Sequence, residues 1–274
     1  MNAGQYIKTL KLAESASSPF TCEYCGAETS ARGEVCMCSN CESMVVTTRV
    51  ILEKRDHVLL NLLDSINKQV AESKYEDALA SYEKLIAERK DPSMMYAAAV
   101  TYLKYSNHEV MQIGYTRPGF MEENAVYRNK AAQLVSSAKK LLAKSISMAN
   151  VEIAKGNKPL NLVYNRFLAQ IKMNSMKGAK HSIELLSQIG NEYVYDYAQM
   201  VFNAAMGKYD DAIKMADRLV TGKAFSVNAY YYIGLALFKK RHFRDAKTVL
   251  DALNGIIKSD NITMLIFEAN AQMT

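Results

Sequence analysis

The hexapeptides KYDDAI at residues 208–213 and HFRDAK at residues 242–247 decide the fold of the larger part of this 274-residue chain. Each has an aromatic residue, then at least one acidic residue, then an alanine, and KYEDAL at residues 74–79 repeats the pattern. The alanines Ala212 and Ala246 are 34 residues apart. Acidic side chains stabilise helix N-termini, and alanine lets two helices approach closely. The pattern therefore predicts a turn between two packed helices.

A helix–turn–helix unit with a 34-residue period resembles the tetratricopeptide repeat. The resemblance is clearest over residues 59–91, 193–224 and 227–256. It implies a mostly α-helical superhelix, or solenoid, over residues 47–274, in which each unit packs on its neighbours.

The stretches between the clearest repeats are less regular. Residues 106–124 contain Gly114, Pro118 and Gly119, which predict a loop. Residues 125–154 then predict one long helix, and residues 159–189 a helical pair joined by a shortened turn. The C-terminal sequence NITMLIFEANAQM predicts a last helix that covers the open end of the stack.

The composition agrees with a helical protein. Glycine and proline number only 12 and 4, and 49% of the residues are hydrophobic. No apolar run approaches the roughly 20 residues that cross a bilayer. The first 18 residues lack the hydrophobic core of a secretory signal and predict a short amphipathic helix. We therefore expect a cytoplasmic protein without a membrane span.

All five cysteines lie within residues 22–41. Cys22 and Cys25 form one C-x2-C pair, and Cys38 and Cys41 form another after twelve intervening residues. Each pair on a tight turn directs two sulfurs at one point, and two such turns complete a tetrahedron of four thiolates. This spacing is a strong zinc signal. We predict that the fifth cysteine, Cys36, is a buried or half-exposed thiol.

The stretches FTCEYCGAET and EVCMCSNCES resemble a zinc ribbon over residues 19–46. The resemblance implies a small β-hairpin module with a structural Zn2+ ion held by Cys22, Cys25, Cys38 and Cys41. Glu42 departs from the family pattern, which often has glycine after the fourth ligand. Metal binding supplies free energy of order 10 kcal/mol to a module too small to fold alone. The module then either caps the first helix of the solenoid or presents a docking surface beside it.

A solenoid of this kind is a binding scaffold, so we expect a non-enzymatic adaptor that holds a protein or peptide partner. Four protein ligands leave no open metal position for chemistry. The family resemblance assigns partner binding to the concave groove, at Leu63, Asn67, Tyr197, Val201, Tyr231, Leu235, Phe238 and Lys239. The groove could instead be occupied by the N-terminal helix or by the 106–124 loop.

The alternative is a nucleic-acid-associated or transcription-related factor that uses the ribbon and a basic helical surface. The net charge of the chain is +6. Residues 1–50 carry a net charge of −1, so residues 51–274 carry a net charge of +7. Glu23, Glu28 and Glu34 make the ribbon a poor phosphate-binding surface. The sequence therefore favours the protein adaptor.

Overall fold

The computed structural model describes residues 1–15, 17–31, 35–46, 57–115, 121–222, 227–257 and 259–273, and every structural statement below concerns these residues. One helix and two short β-hairpins precede eleven further helices. The elements in chain order are α1 (Ala3–Ser15), β1 (Ser18–Thr21), β2 (Glu28–Ala31), β3 (Val35–Met37), β4 (Met44–Val46), α2 (His57–Ala71), α3 (Tyr75–Arg89), α4 (Pro92–Tyr115), α5 (Met121–Ala154), α6 (Leu160–Lys172), α7 (Met176–Ile189), α8 (Glu192–Ala205), α9 (Tyr209–Thr221), α10 (Asn228–Lys239), α11 (Phe243–Asn254) and α12 (Asp260–Ala271).

The repeated hexapeptides do form the predicted turns. Tyr75, Tyr209 and Phe243 are the first residues of α3, α9 and α11. Two positions before each aromatic residue, the backbone is left-handed, at Ser73, Gly207 and Arg241. The alanines that follow, Ala78, Ala212 and Ala246, are buried between the paired helices. A left-handed residue lets the chain reverse within three residues, so the two helices of each unit pack antiparallel.

A fourth turn has the same geometry, although its sequence lacks the aromatic residue. Asn174 is left-handed with φ of 57°. The Ser175 amide donates to the Gln170 carbonyl at 2.8 Å, as the Lys208 amide donates to Asn203 at 2.8 Å in the next unit. The α6–α7 turn is therefore not shortened, as the sequence suggested, but equivalent to the others.

The predicted 106–124 loop is wrong over its first ten residues, because α4 continues to Tyr115. Contacts with α5 stabilise these last helical turns. The Ser106 hydroxyl donates to the Ala131 carbonyl at 3.1 Å, and buried Glu109 pairs with Lys130 at 3.2 Å. α5 begins at Met121, so residues 121–124 are also helical. The rest of the predicted loop, residues 116–120, lies outside the described residues.

The helices from α2 onward pack in two layers, and the helices of one layer also contact one another. Each helix from α2 onward contacts the next along the chain. In addition α4, α6, α8, α10 and α12 contact one another in that order, and α12 contacts α4. The Asn107 amide donates to Asn261 at 2.7 Å across this last contact. This packing is consistent with the predicted superhelix, and because α12 also meets α4 we call the even-numbered helices from α4 to α12 the ring.

The N-terminal helix lies against the outer layer, so it does not occupy the ring. α1 contacts α9 and α11 through buried Tyr6 and Leu10. The Tyr6 hydroxyl donates to Asp217 at 2.6 Å, and the Tyr230 hydroxyl donates to Thr9 at 3.1 Å. Burial, and then the bond to Asp217, raise the pKa of Tyr6.

Candidate metal centre

The four cysteines predicted as ligands lie together. The sulfurs of Cys22 and Cys41 are 3.8 Å apart, and those of Cys25 and Cys38 are 3.6 Å apart. All four lie within 4.8 Å of one another and are buried. Zinc–sulfur bonds of about 2.3 Å in a tetrahedron place the sulfurs about 3.8 Å apart. The donor set and its spacing therefore fit a four-coordinate metal ion.

Two knuckles with the same backbone hold the sulfurs. We call residues 22–27 the first knuckle and residues 38–43 the second. The Gly26 amide donates to the Cys22 carbonyl at 2.9 Å, and the Glu42 amide to the Cys38 carbonyl at 2.9 Å. Gly26 and Glu42 are both left-handed, with φ of 73° and 65°. A non-glycine residue in this conformation costs about 1–2 kcal/mol, so Glu42 must be favoured by contacts outside the knuckle.

Each knuckle lies between the strands of its own hairpin, so the module contains two hairpins where the sequence predicted one. β1 pairs with β2 on either side of the first knuckle, and β3 pairs with β4 on either side of the second. Backbone amides also point at the sulfurs. The Tyr24 amide lies 3.5 Å from Cys22 Sγ, and the Asn40 amide 3.4 Å from Cys38 Sγ. Such donors stabilise thiolates and orient them toward a metal.

Burial makes free thiolates costly at this site. Burial raises the pKa of the Cys22 and Cys41 thiols, whereas hydrogen bonds from the other thiols, that of Cys22 first, lower the pKa of Cys25. Several thiolates in one buried cluster require a positive ion to offset their charge.

Cys36 lies outside this cluster. It is fully buried opposite Val45 in the β3–β4 pair, and burial raises its pKa.

The first knuckle packs tightly on α2 and is tied to α3 and α6. A Cβ atom on Gly26 would lie 2.1 Å from the Leu63 carbonyl oxygen, so no side chain fits there. The Tyr82 hydroxyl donates to the Tyr24 carbonyl at 3.4 Å, and Asn161 donates to the Tyr24 hydroxyl at 2.7 Å. Helices far apart in sequence therefore converge on the first knuckle.

The second knuckle and β4 reach α4, α6 and α10 through polar contacts. Asn228 donates to the Cys38 carbonyl at 2.8 Å, and Asn165 accepts from the Met44 amide at 3.2 Å. Lys172 pairs with Glu42 at 3.2 Å, with both side chains about three-quarters buried. Lys104 donates to the Asn40 side chain, whose amide nitrogen lies 3.5 Å from Cys25 Sγ. The module therefore lies inside the ring, bound to three of its five helices.

Tyrosines at equivalent positions of four ring helices lie around the second knuckle. They are Tyr96, Tyr164, Tyr197 and Tyr232, the fifth or sixth residue of α4, α6, α8 and α10. The rings of Tyr164 and Tyr197 are 6.2 Å apart, and those of Tyr197 and Tyr232 are 6.3 Å apart. Burial, and after it the charge of Glu42, raise the pKa of Tyr96 and Tyr232. The charge of Glu42 thus acts on two tyrosines of the ring. The sequence contained this signal as a tyrosine recurring at intervals near 34 residues or twice that, but our sequence analysis missed it.

The residues predicted to line a groove are divided between several environments. Asn67 and Tyr231 line a cavity beside the second knuckle. Leu63, Tyr197 and Val201 are buried in the core. Leu235 and Phe238 are half-buried, whereas Lys239 is exposed, with its ammonium 5.5 Å from the Phe238 ring centre. The structure therefore brings only two of the eight predicted residues to the same open space.

Comparison with protein-family models, curated proteins and solved structures found no match for this chain. None of the described helices is both long enough and apolar enough to cross a membrane.

Proposed function

We propose that this protein is a non-enzymatic adaptor in which a structural zinc ion holds a ring of helices in shape for a protein partner. The observation that carries the proposal is the place of the cysteine module. It lies inside the helical ring and hydrogen-bonds to α3, α4, α6 and α10. Four buried thiolates are typical of structural zinc, which contributes to folding rather than to chemistry.

The zinc ion would act on the whole ring through the two knuckles. Asn228 is 190 residues from Cys38, and Asn165 is 121 residues from Met44. In this proposal the metal ion fixes the shape of the knuckles on which these long-range bonds depend. Neither arrangement expected from the sequence, a cap on the first helix or a knob beside it, is therefore part of the proposal. The module serves as a central support.

The adaptor is favoured over the nucleic-acid-associated alternative because the knuckles face protein. A ribbon that reads nucleic acid presents basic side chains to phosphates. Here Lys104 donates to Asn40, and Lys172 pairs with Glu42. A basic cluster does lie at the α10–α11 turn, but two of its lysines form ion pairs, Lys240 with Asp210 and Lys247 with Asp251.

Capture of partners by the zinc-loaded protein from its native cells tests this function. We expect a protein that is retained in high salt, that binds again after both proteins are purified, and that is lost from metal-depleted protein. Retention on heparin or DNA that falls steeply with salt, without a protein partner, would instead support the nucleic-acid alternative. Zinc content below one ion per chain would contradict the structural role.

A further inference from the structure

A polar cavity of about 710 Å³ lies between the second knuckle and the seam where α12 meets α4. Its volume falls in the range of specific ligand sites. Five different elements each contribute an asparagine to its wall. These residues are Asn40 of the knuckle, Asn67 of α2, Asn107 of α4, Asn228 of α10 and Asn261 of α12.

The asparagines at the seam are oriented by each other. Asn107 donates through its amide nitrogen to the Asn261 oxygen at 2.7 Å. Each side-chain amide offers two donor hydrogens and an acceptor oxygen. This bond leaves the Asn107 oxygen as an acceptor and the Asn261 nitrogen as a donor for other partners. That pair matches the N–H and C=O groups of an extended peptide.

Three lysines and three carboxylates, Glu28, Glu42 and Asp64, line this cavity. Lys104 also lines an adjoining cavity whose described lining contains no carboxylate. Lys68 pairs with Asp64 at 2.7 Å, and Lys172 pairs with Glu42 at 3.2 Å. Lys104 makes no ion pair with a described carboxylate, and its contact is with the neutral Asn40 side chain. A partly buried lysine in such a setting favours a ligand with a negative charge.

The space is elongated rather than round. A second cavity of about 520 Å³ adjoins the first and shares Asn40, Asn67, Lys104, Asn107 and Asn261 with it. It continues past Ser73 and His108 toward the α2–α3 turn. An extended chain advances about 3.3 Å per residue, so several residues fit along the two spaces.

We propose that this asparagine-lined cavity binds an extended peptide segment that carries a carboxylate. The amides bind the main chain of the peptide, and Lys104 binds its acidic side chain or C-terminus. The inference rests on the proposed adaptor function and assigns it a site and a peptide chemistry. The second knuckle forms one wall, so the site requires the metal-bound module.

A library of random heptapeptides displayed on phage, selected on the zinc-loaded protein, tests the proposal. We expect enriched peptides that share an acidic residue. Fluorescence polarisation should show binding at least 10-fold weaker for Lys104→Gln and for Asn107→Ala. Replacing the acidic residue of the peptide by its amide should weaken binding similarly. Lys139→Gln and Asn129→Ala on the exposed face of α5 are the matched controls and should bind as the wild type does.

The zinc content and thermal unfolding of each variant show whether the ring is intact. If Lys104→Gln disturbs Asn40, Asn261→Ala provides a second test from the opposite wall. Failure to enrich any peptide, or equal binding by the cavity variants and the wild type, would overturn the site. A cellular partner retained equally by the wild type, Lys104→Gln and Asn261→Ala would also overturn the site, while leaving the adaptor function standing.

Discussion

The two knuckles of the metal module have the same backbone but different surroundings. Both place a left-handed residue after their second cysteine, Gly26 in one and Glu42 in the other. The first knuckle packs against the backbone of α2, where no side chain fits. The second is held by polar contacts and faces a cavity. The two turns therefore share one backbone shape, whereas their contacts with the helices decide which residue the left-handed position can hold.

Loss of a metal ligand should have the largest effect on stability, and the effect should be the same for either knuckle. We expect Cys22→Ser and Cys38→Ser each to lose the zinc ion and at least about 5 kcal/mol of unfolding free energy. Metal analysis and urea unfolding measure both quantities. The control is Cys36→Ala, which removes a buried thiol outside the cluster and should retain one zinc ion. A Cys22→Ser protein with one zinc ion and wild-type stability would rule out this ligand set.

Adding one methyl group at Gly26 should expose the tight packing of the first knuckle. We expect Gly26→Ala to lose more than about 3 kcal/mol, since a left-handed alanine is strained and its Cβ meets the Leu63 carbonyl. Gly190 is a matched control, because it is also left-handed, at φ of 85°, and has nothing within 4 Å of an added Cβ. Gly190→Ala should cost about 1 kcal/mol. Equal losses in urea unfolding would mean that contact with α2 has no part in the effect.

Removal of the Asn40 amide should lower the zinc affinity more than it lowers the stability of the fold. Its nitrogen lies 3.5 Å from Cys25 Sγ, as a donor that supports a ligand. We expect Asn40→Ala to weaken zinc binding 10- to 100-fold in competition with a chelator. Asn129→Ala on the exposed face of α5 should leave the affinity unchanged. Unchanged affinity in Asn40→Ala would show that the amide does not support the thiolate.

Glu42→Gly should have the smallest effect and makes the second knuckle resemble the first. Glycine relieves about 1 kcal/mol of left-handed strain, while loss of the Lys172 pair costs a similar amount for partly buried groups. We expect the unfolding free energy to change by less than about 1 kcal/mol. A loss above about 3 kcal/mol would show that Glu42 stabilises the ring through more than this pair.

Local features of the fold could be predicted from sequence because they depend on a few neighbouring residues. Spacing alone picked out the four clustered cysteines, and the aromatic–acidic–alanine pattern located three turns. The turn at Asn174 was misjudged because Met176 replaces the aromatic residue, although Asn174 and Ala179 keep the essential positions.

Features that depend on distant contacts could not be predicted. Gly114 and Pro118 suggested an early end to α4, but bonds from Ser106 and Glu109 to α5 extend the helix. Closure of the ring depends on α12 meeting α4, and Asn107 and Asn261 are 154 residues apart. The place of the module depends on asparagines such as Asn165 and Asn228, which have no recognisable pattern around them. These contacts separate the residues predicted for the groove, of which only Asn67 and Tyr231 line the same cavity.

The central claim is that the metal-bound module supports the ring from within. Thermal unfolding followed by the helical circular dichroism signal, before and after removal of the measured zinc, tests it most directly. We predict one zinc ion per chain and a midpoint at least about 10 °C lower once it is removed, with recovery when zinc is restored. An unchanged helical transition in the metal-free protein would contradict the account.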